Sequence, residues 1–283
     1  MGLLLVFFLC AGCTEYDLGR DKEDPPDQDD TERLWDSDLP PPDSEESEPP
    51  EETAEPPIDE TDLPPDAATE PLYAHSCDTL FSVDPAPPHA LTRIGGFNAG
   101  GAVSDVTDIA IDTGGIMYAV SFDTLYRVDA SNARLTPLGR PGPTDLNALT
   151  FLADGTLLAG GGSALYEVDP SSGAFTRLSS IGSWSFAGDM VGLPDGLLYC
   201  AMAHGTTGGA TSLVVYDLAS QTVLRDGETG TGSLYGVAYA EETLFGFNEG
   251  GGIYTIDPSS GAATPGGNLG EPWWGATTNP VEW

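Results

Sequence analysis

The chain predicts an all-β domain, a five-bladed β-propeller of four-stranded antiparallel blades, behind an acidic tether. Three observations carry that prediction. A strand phrase ending in aspartate occurs at Leu80-Phe81-Ser82-Val83-Asp84, Leu125-Tyr126-Arg127-Val128-Asp129 and Leu165-Tyr166-Glu167-Val168-Asp169. It returns as Val215-Tyr216-Asp217 and as Ile253-Tyr254-Thr255-Ile256-Asp257. The steps between these aspartates are 40 to 48 residues, the length of one propeller blade. The two ends of the repeat region, finally, complement each other as parts of one blade.

The first segment, 1–12, is apolar from Leu3 and runs into Leu9-Cys10-Ala11-Gly12-Cys13. It is too short for the ~20 residues that cross a bilayer as a helix and belongs to targeting rather than to the fold. The pattern resembles a bacterial lipoprotein signal peptide. That resemblance implies cleavage before Cys13, lipidation of Cys13, and a membrane partner reached through the lipid. Thr14 is not the aspartate that retains such proteins at the inner membrane, which implies the outer membrane or cell surface of a bacterial envelope.

Residues 13–71 form the tether. Asp and Glu crowd it, opposed only by Arg20, Lys22 and Arg33, and proline pairs recur at Pro25-Pro26, Pro49-Pro50, Pro56-Pro57 and Pro64-Pro65. Such a segment cannot bury enough apolar surface to offset its ordering entropy. Like charges and prolines favour an extended linker. It reads as a spacer; no run has the ligand spacing and turn glycine of an EF-hand loop. The formal net charge of −36 excludes a nucleic-acid partner, which requires the opposite sign.

The propeller, 72–283, is built from hairpins. Val106 to Ile111 leads through Gly114-Gly115 to Met117-Tyr118-Ala119-Val120; Leu146 to Phe151 leads through Asp154-Gly155 to Leu157-Leu158-Ala159-Gly160. Gly188 to Val191 leads through Asp195-Gly196 to Leu198-Tyr199-Cys200, and Leu234 to Tyr239 through Glu241-Glu242 to Leu244-Phe245-Gly246. Period-two alternation and Asp-Gly turns argue for antiparallel strands, lettered a to d from the axis outward. The turns Asp169-Pro170-Ser171-Ser172-Gly173 and Asp257-Pro258-Ser259-Ser260-Gly261 match: Asp bonds the amides ahead, Pro presets φ, and Gly allows a positive φ. Leu72 to Asp84 aligns without a gap to Met117 to Asp129 and lacks a strand a, while Trp273 to Thr278 reads as a strand a with nothing after it. Together they make the fifth blade and seal the ring against an open edge. Cys77 and Cys200 fall on blades that are not neighbours, so two unpaired thiols are expected. The domain is read as a monomer.

The chemistry-bearing residues are few. His75 reads as structural, and His89, among prolines, as exposed. His204 sits in the longest b–c connection, Ala203 to Ala210, and is the weak catalytic candidate. Strands a bring like positions to the axis, and one column holds Asp108, Ala148, Asp189, Gly236 and Gly275. Two readings of it stand. Asp108, Asn147 and Asp189 could hold a hard cation such as Ca²⁺, or the two carboxylates could bond free backbone amides and waters. Trp184, Tyr235, Trp273 and Trp274, with Phe186, are expected as an aromatic rim at one mouth. Trp184, His204, Tyr235 and Trp274 are the ligand-binding candidates.

The units Asp195 to Tyr199 and Leu165 to Gly173 resemble those of secreted bacterial propellers of the broad SMP-30/gluconolactonase, NHL and YVTN-like group. The resemblance covers Leu72 to Trp283 and implies the fold. Enzymes of that group include calcium-dependent lactonases and a lyase with a catalytic histidine. Two functions are therefore expected: a binding module for a protein, peptide or glycan, or a metal-dependent hydrolase or lyase with a divalent cation in the channel. The balance falls against an enzyme, because no His-Glu-x-x-His, Cys-x-x-Cys or Gly-x-Ser-x-Gly occurs.

Overall fold

The computed structural model describes residues 71–139, 142–204 and 210–279. The signal and tether expectations therefore lie outside the described residues. The chain divides into two units, of which Asp66–Trp283 contains every described strand.

Twenty strands and no helix occur among the described residues. They form five four-stranded sheets. Blade I is β4 (Val106–Ile111), β5 (Met117–Ser121), β6 (Leu125–Asp129) and β7 (Arg134–Gly139). Blade II is β8 (Leu146–Phe151), β9 (Leu157–Gly161), β10 (Ala164–Asp169) and β11 (Ala174–Ser180). Blade III is β12 (Trp184–Gly192), β13 (Leu198–His204), β14 (Ala210–Asp217) and β15 (Thr222–Gly232). Blade IV is β16 (Leu234–Ala240), β17 (Thr243–Asn248), β18 (Gly252–Ile256) and β19 (Ala263–Asn268).

Blade V takes strands from both ends, in the order β20-β1-β2-β3. Here β20 is Gly275–Thr277, β1 Leu72–His75, β2 Thr79–Val83 and β3 Leu91–Gly96. Tyr73 pairs with Thr277, Ala74 with Ala276 and His75 with Gly275. The gapless alignment of Leu72–Asp84 on Met117–Asp129 is preserved as register: Leu72 opposes Val83 as Met117 opposes Val128. Closure is thus achieved by ladder hydrogen bonds on a strand whose edge would otherwise be bare.

The five recurring aspartates close the c–d turns as their sequence requires. Asp84 accepts from Ala86 N at 2.9 Å, Asp129 from Ser131 N at 3.0 Å, Asp169 from Ser171 N at 2.8 Å, Asp217 from Ala219 N at 2.9 Å and Asp257 from Ser259 N at 2.8 Å. Serine hydroxyls add to the amides at Asp169 and Asp257 and hold both carboxyls down to about 2.

Each gap between neighbouring blades is filled by its own apolar cluster, because every sheet buries both faces against its neighbours. Phe186, Met190 and Trp184 of blade III pack on Leu158 and Leu165 of blade II. Phe245 and Phe247 of blade IV meet Leu72, Phe81 and Trp273 of blade V. Trp273 is fully buried, edge-on to Phe81 at 5.5 Å and to Phe247 at 5.8 Å. It is a core residue, not part of a rim. Phe186, expected at the rim, lies with Trp184 on strand a of blade III, and it too is buried.

His89 also departs from expectation. It is buried in the c–d turn of blade V, with its ring edge-on to Phe245 of blade IV at 6.1 Å and Nδ1 3.1 Å from Asp84 O. Gly266 of blade IV leaves room for the imidazole, which is the physical reason a histidine among prolines ends up inside. Cys77 lies in the b–c connection of blade V and Cys200 on β13, and neither is in a disulfide.

Candidate functional site: the ring axis and its mouth

Strand a of each blade lines the axis, and its N–H groups at the axial register have no partner strand to bond. The residues following the Asp108 column are Ile109, Leu149, Met190, Val237 and Ala276, one per blade. Two side chains satisfy all five. Asp108 accepts from Ile109 N at 2.8 Å through Oδ1 and from Leu149 N at 2.6 Å through Oδ2. Asp189 accepts from Met190 N at 2.6 Å through Oδ1, and from Val237 N at 2.9 Å and Ala276 N at 3.0 Å through Oδ2. Blades I and II are joined through Asp108, and blades III, IV and V through Asp189. The two carboxyls hydrogen-bond each other across the axis, completing the link.

Both carboxyls are fully buried, and burial is the largest cause raising each above the ordinary 3.8. Asp108 is raised further by the charge of Asp189 and by the hydrogen bond to it. At Asp189 the bonds from Asp108, Val237, Ala276 and Met190 pull in the opposite direction. Burial and the closeness of the two carboxyls therefore keep a proton on the pair, shared between Asp108 and Asp189, well above the ordinary carboxyl range.

His75 approaches the same place from β1. It is fully buried; Nδ1 lies 2.8 Å from Ser76 O, and Nε2 has no hydrogen-bond partner. Burial pulls the imidazole down to about 4, so the ring is neutral with Nδ1–H donating to that carbonyl. Its Nε2 and Asp108 Oδ1 both crowd the space over Gly275, where a Cβ would collide with each. Glycine at this position is required by close approach, since the axis has no room for a fifth side chain.

Of the three residues expected to hold a cation, Asp108 and Asp189 direct all four oxygens at N–H donors and at each other. Asn147 donates Nδ2 to Phe186 O at 2.8 Å, and its buried Oδ1 has no partner. Converging N–H groups favour an anion, and the shared carboxylate supplies it. Among the described residues, no group of three or more His, Cys, Asp or Glu could hold a metal ion.

The mouth formed by the b–c and d–a connections carries the aromatic candidates. Trp184 opens β12 and pairs in register with His204, the last residue of β13. Their rings stack with centroids 3.7 Å apart and planes 34° from parallel. Trp184 is only 7 % exposed, while His204 is exposed and covers it. His204 leads into residues 205–209, outside the described residues. Tyr235 on β16 and Trp274, just before β20, occupy equivalent positions on adjacent blades, both half-buried, and Trp274 N donates to His75 O at 2.8 Å. Phe122, in the b–c turn of blade I, was not anticipated. It is 40 % exposed, and its carbonyl accepts from Leu146 N at the start of β8, at 3.2 Å. A bulky apolar residue in a two-strand turn, where polar residues are usual, was the signal that could have found it.

No family model matches the chain, and neither does any curated protein. Among solved structures it is similar to a symmetrical protein studied for its de novo evolutionary emergence, with 20% identity, 72% of this chain and 94% of that chain covered, and a TM-score of 0.48. It is similar also to a chain of a nidogen/laminin complex, with 12% identity, coverage of 75% and 98%, and a TM-score of 0.49. A third similarity is to hydrazine synthase of Kuenenia stuttgartiensis, at 18% identity and a TM-score of 0.42; 56% of this chain is covered, and it spans 48% of that one. At these identities the likeness is one of fold alone.

Proposed function

We propose that the propeller is a binding module, presented on a lipid-anchored bacterial envelope protein, whose mouth face meets a protein, peptide or glycan. The observation that supports this most is that exposed Phe122 and the His204–Trp184 stack both lie on the mouth face of the ring. Exposed aromatic surface and flat stacked rings on one face suit ligands with apolar faces, such as pyranose rings or side chains of a peptide. The axis below that face is filled by the Asp108–Asp189 pair and His75, so the ligand rests on the mouth and does not enter the ring.

The test is binding of arrayed glycans and peptides to the full chain and to the double variant Phe122→Ser/His204→Ala. Loss of a bound class in that variant, with retention in Leu224→Ser on the outer strand of blade III, supports the mouth. Equal binding by all three proteins refutes it. For the anchor, metabolic labelling with a palmitate analogue should tag the chain and fail in Cys13→Ser; label in both forms would refute lipidation at Cys13.

A further inference from the structure

A groove of about 510 Å³ lies on the face opposite the mouth, where the a–b turns of blades III and IV meet the c–d turn of blade IV. We propose that it is a second binding site, one that seats a lysine or arginine side chain of a basic partner segment.

The floor is apolar: Leu193, Leu244 and Ile256 are buried beneath it, and the ring of Tyr199 forms one wall. Exposed carboxylates stand at the rim, Asp195 on the blade III turn and Glu242 on the blade IV turn. An apolar floor with charged acceptors at the lip fits a side chain with an aliphatic stem and a cationic head. The wall already shows the chemistry. Arg225 lies 5.7 Å over the Tyr199 ring and donates Nη2 to Tyr199 Oη at 3.0 Å and Nε to Pro258 O at 3.2 Å. Tyr199 Oη in turn donates to Asp195 at 2.7 Å. Those bonds hold Arg225 at the Tyr199 end, leaving Glu242 at the opposite rim.

Charge complementarity identifies the occupant. Lys22 is the only lysine in a chain of net charge −36, so a basic segment is attracted over a long range and an acidic one is repelled. The turn that carries Glu242 supplies a second, independent sign. Glu241 and Glu242 are both left-handed, at φ 48° and 56°, in a two-residue hairpin that favours Asn-Gly. Glu242 thus holds a strained position at the lip of the groove, with Glu241 beside it in the turn, and such strain concentrates where a site needs its side chains.

The experiment measures fluorescence anisotropy of the labelled peptide acetyl-Leu-Arg-Leu-Arg-Leu-amide, and of its citrulline counterpart, with the full chain at physiological salt. The key variant is E241N/E242G, which removes the rim charge of Glu242 with that of its turn neighbour and relieves the turn. It should melt at a higher temperature yet bind the arginine peptide at least about twofold more weakly, the effect of losing the exposed ion pair with Glu242. E45Q/E46Q in the tether, with the same loss of charge, should bind as the parent does. Binding that falls equally in both variants, equal binding of the citrulline peptide, or no binding at all would overturn the proposal.

Discussion

Replacing Asp189 by alanine should be the most damaging single change at the axis. The side chain is fully buried and is the acceptor for three amides, Met190, Val237 and Ala276, on three blades. Each buried donor left without an acceptor costs about 1–3 kcal/mol. The hole left behind is polar, so water can enter and recover part of that loss. Removal of a desolvated charge offsets another part. A net loss of about 3–5 kcal/mol is expected, a large share of the 5–15 kcal/mol typical of a folded domain. For a domain of this size that lowers the thermal midpoint by roughly 6–20 °C. Asp108→Asn should cost clearly less, because the amide can donate to Asp189 and still accept one N–H. The assay is urea unfolding followed by tryptophan fluorescence, backed by calorimetry. An Asp189→Ala protein within about 1 kcal/mol of the parent would refute the view that these carboxyls tie the five blades together.

Gly275→Ala should destabilise by about 1–3 kcal/mol, since the new methyl meets both Asp108 Oδ1 and His75 Nε2; an unchanged midpoint in calorimetry would contradict the close approach. The pH dependence separates two groups. The folded Asp108–Asp189 pair keeps a proton that the unfolded chain loses above the ordinary carboxyl value of 3.8, so its contribution declines as pH rises. His75 titrates normally when unfolded, at 6.5, but at about 4 when folded, so it disfavours folding as pH falls between those values. The two oppose each other below about pH 6.5. Between about pH 6.5 and 8, below the range where the buried Cys200 thiol and the Tyr199 hydroxyl add in the same direction, the pair dominates and stability should fall with rising pH by up to about 1.4 kcal/mol per unit. A flat or rising profile there, or the same profile in Asp108→Asn, would count against the shared proton. Deleting residues 273–283 removes buried Trp273 and the strand that covers β1. A loss beyond the 3–5 kcal/mol of a large aromatic deletion is expected, with aggregation through the bared edge in light scattering; a monomeric, equally stable product would argue against closure by β20.

Much of the fold was legible because blade chemistry is local. The aspartate at each c–d turn bonds the amide two residues on, and a five-residue phrase suffices to signal it. Blade V was legible because Leu72–Asp84 repeats Met117–Asp129 in both sequence and register. The Asp108 column could be aligned from the strands, but its bonding depends on how closely five backbones approach at the axis, and that distance is not local. Hence neither the division of five amides between two carboxyls nor the place of His75 beside them was readable. His89 and Trp273 show the same limit. Proline neighbours and a terminal position suggest exposure, yet Phe245 and Phe247 of another blade bury them.

The pairing of β1 with β20 dictates an order of assembly. Tyr73 and Thr277 are 204 residues apart, so blades I to IV emerge from the ribosome while β1, β2 and β3 wait as an incomplete sheet. Contacts of such separation form late, after the loop entropy between them has been overcome. The last described strand is therefore the one that locks the first, and a nascent chain halted before Gly275 holds a ring with a gap and an uncovered flank. Such intermediates invite pairing with another chain until β20 is in place.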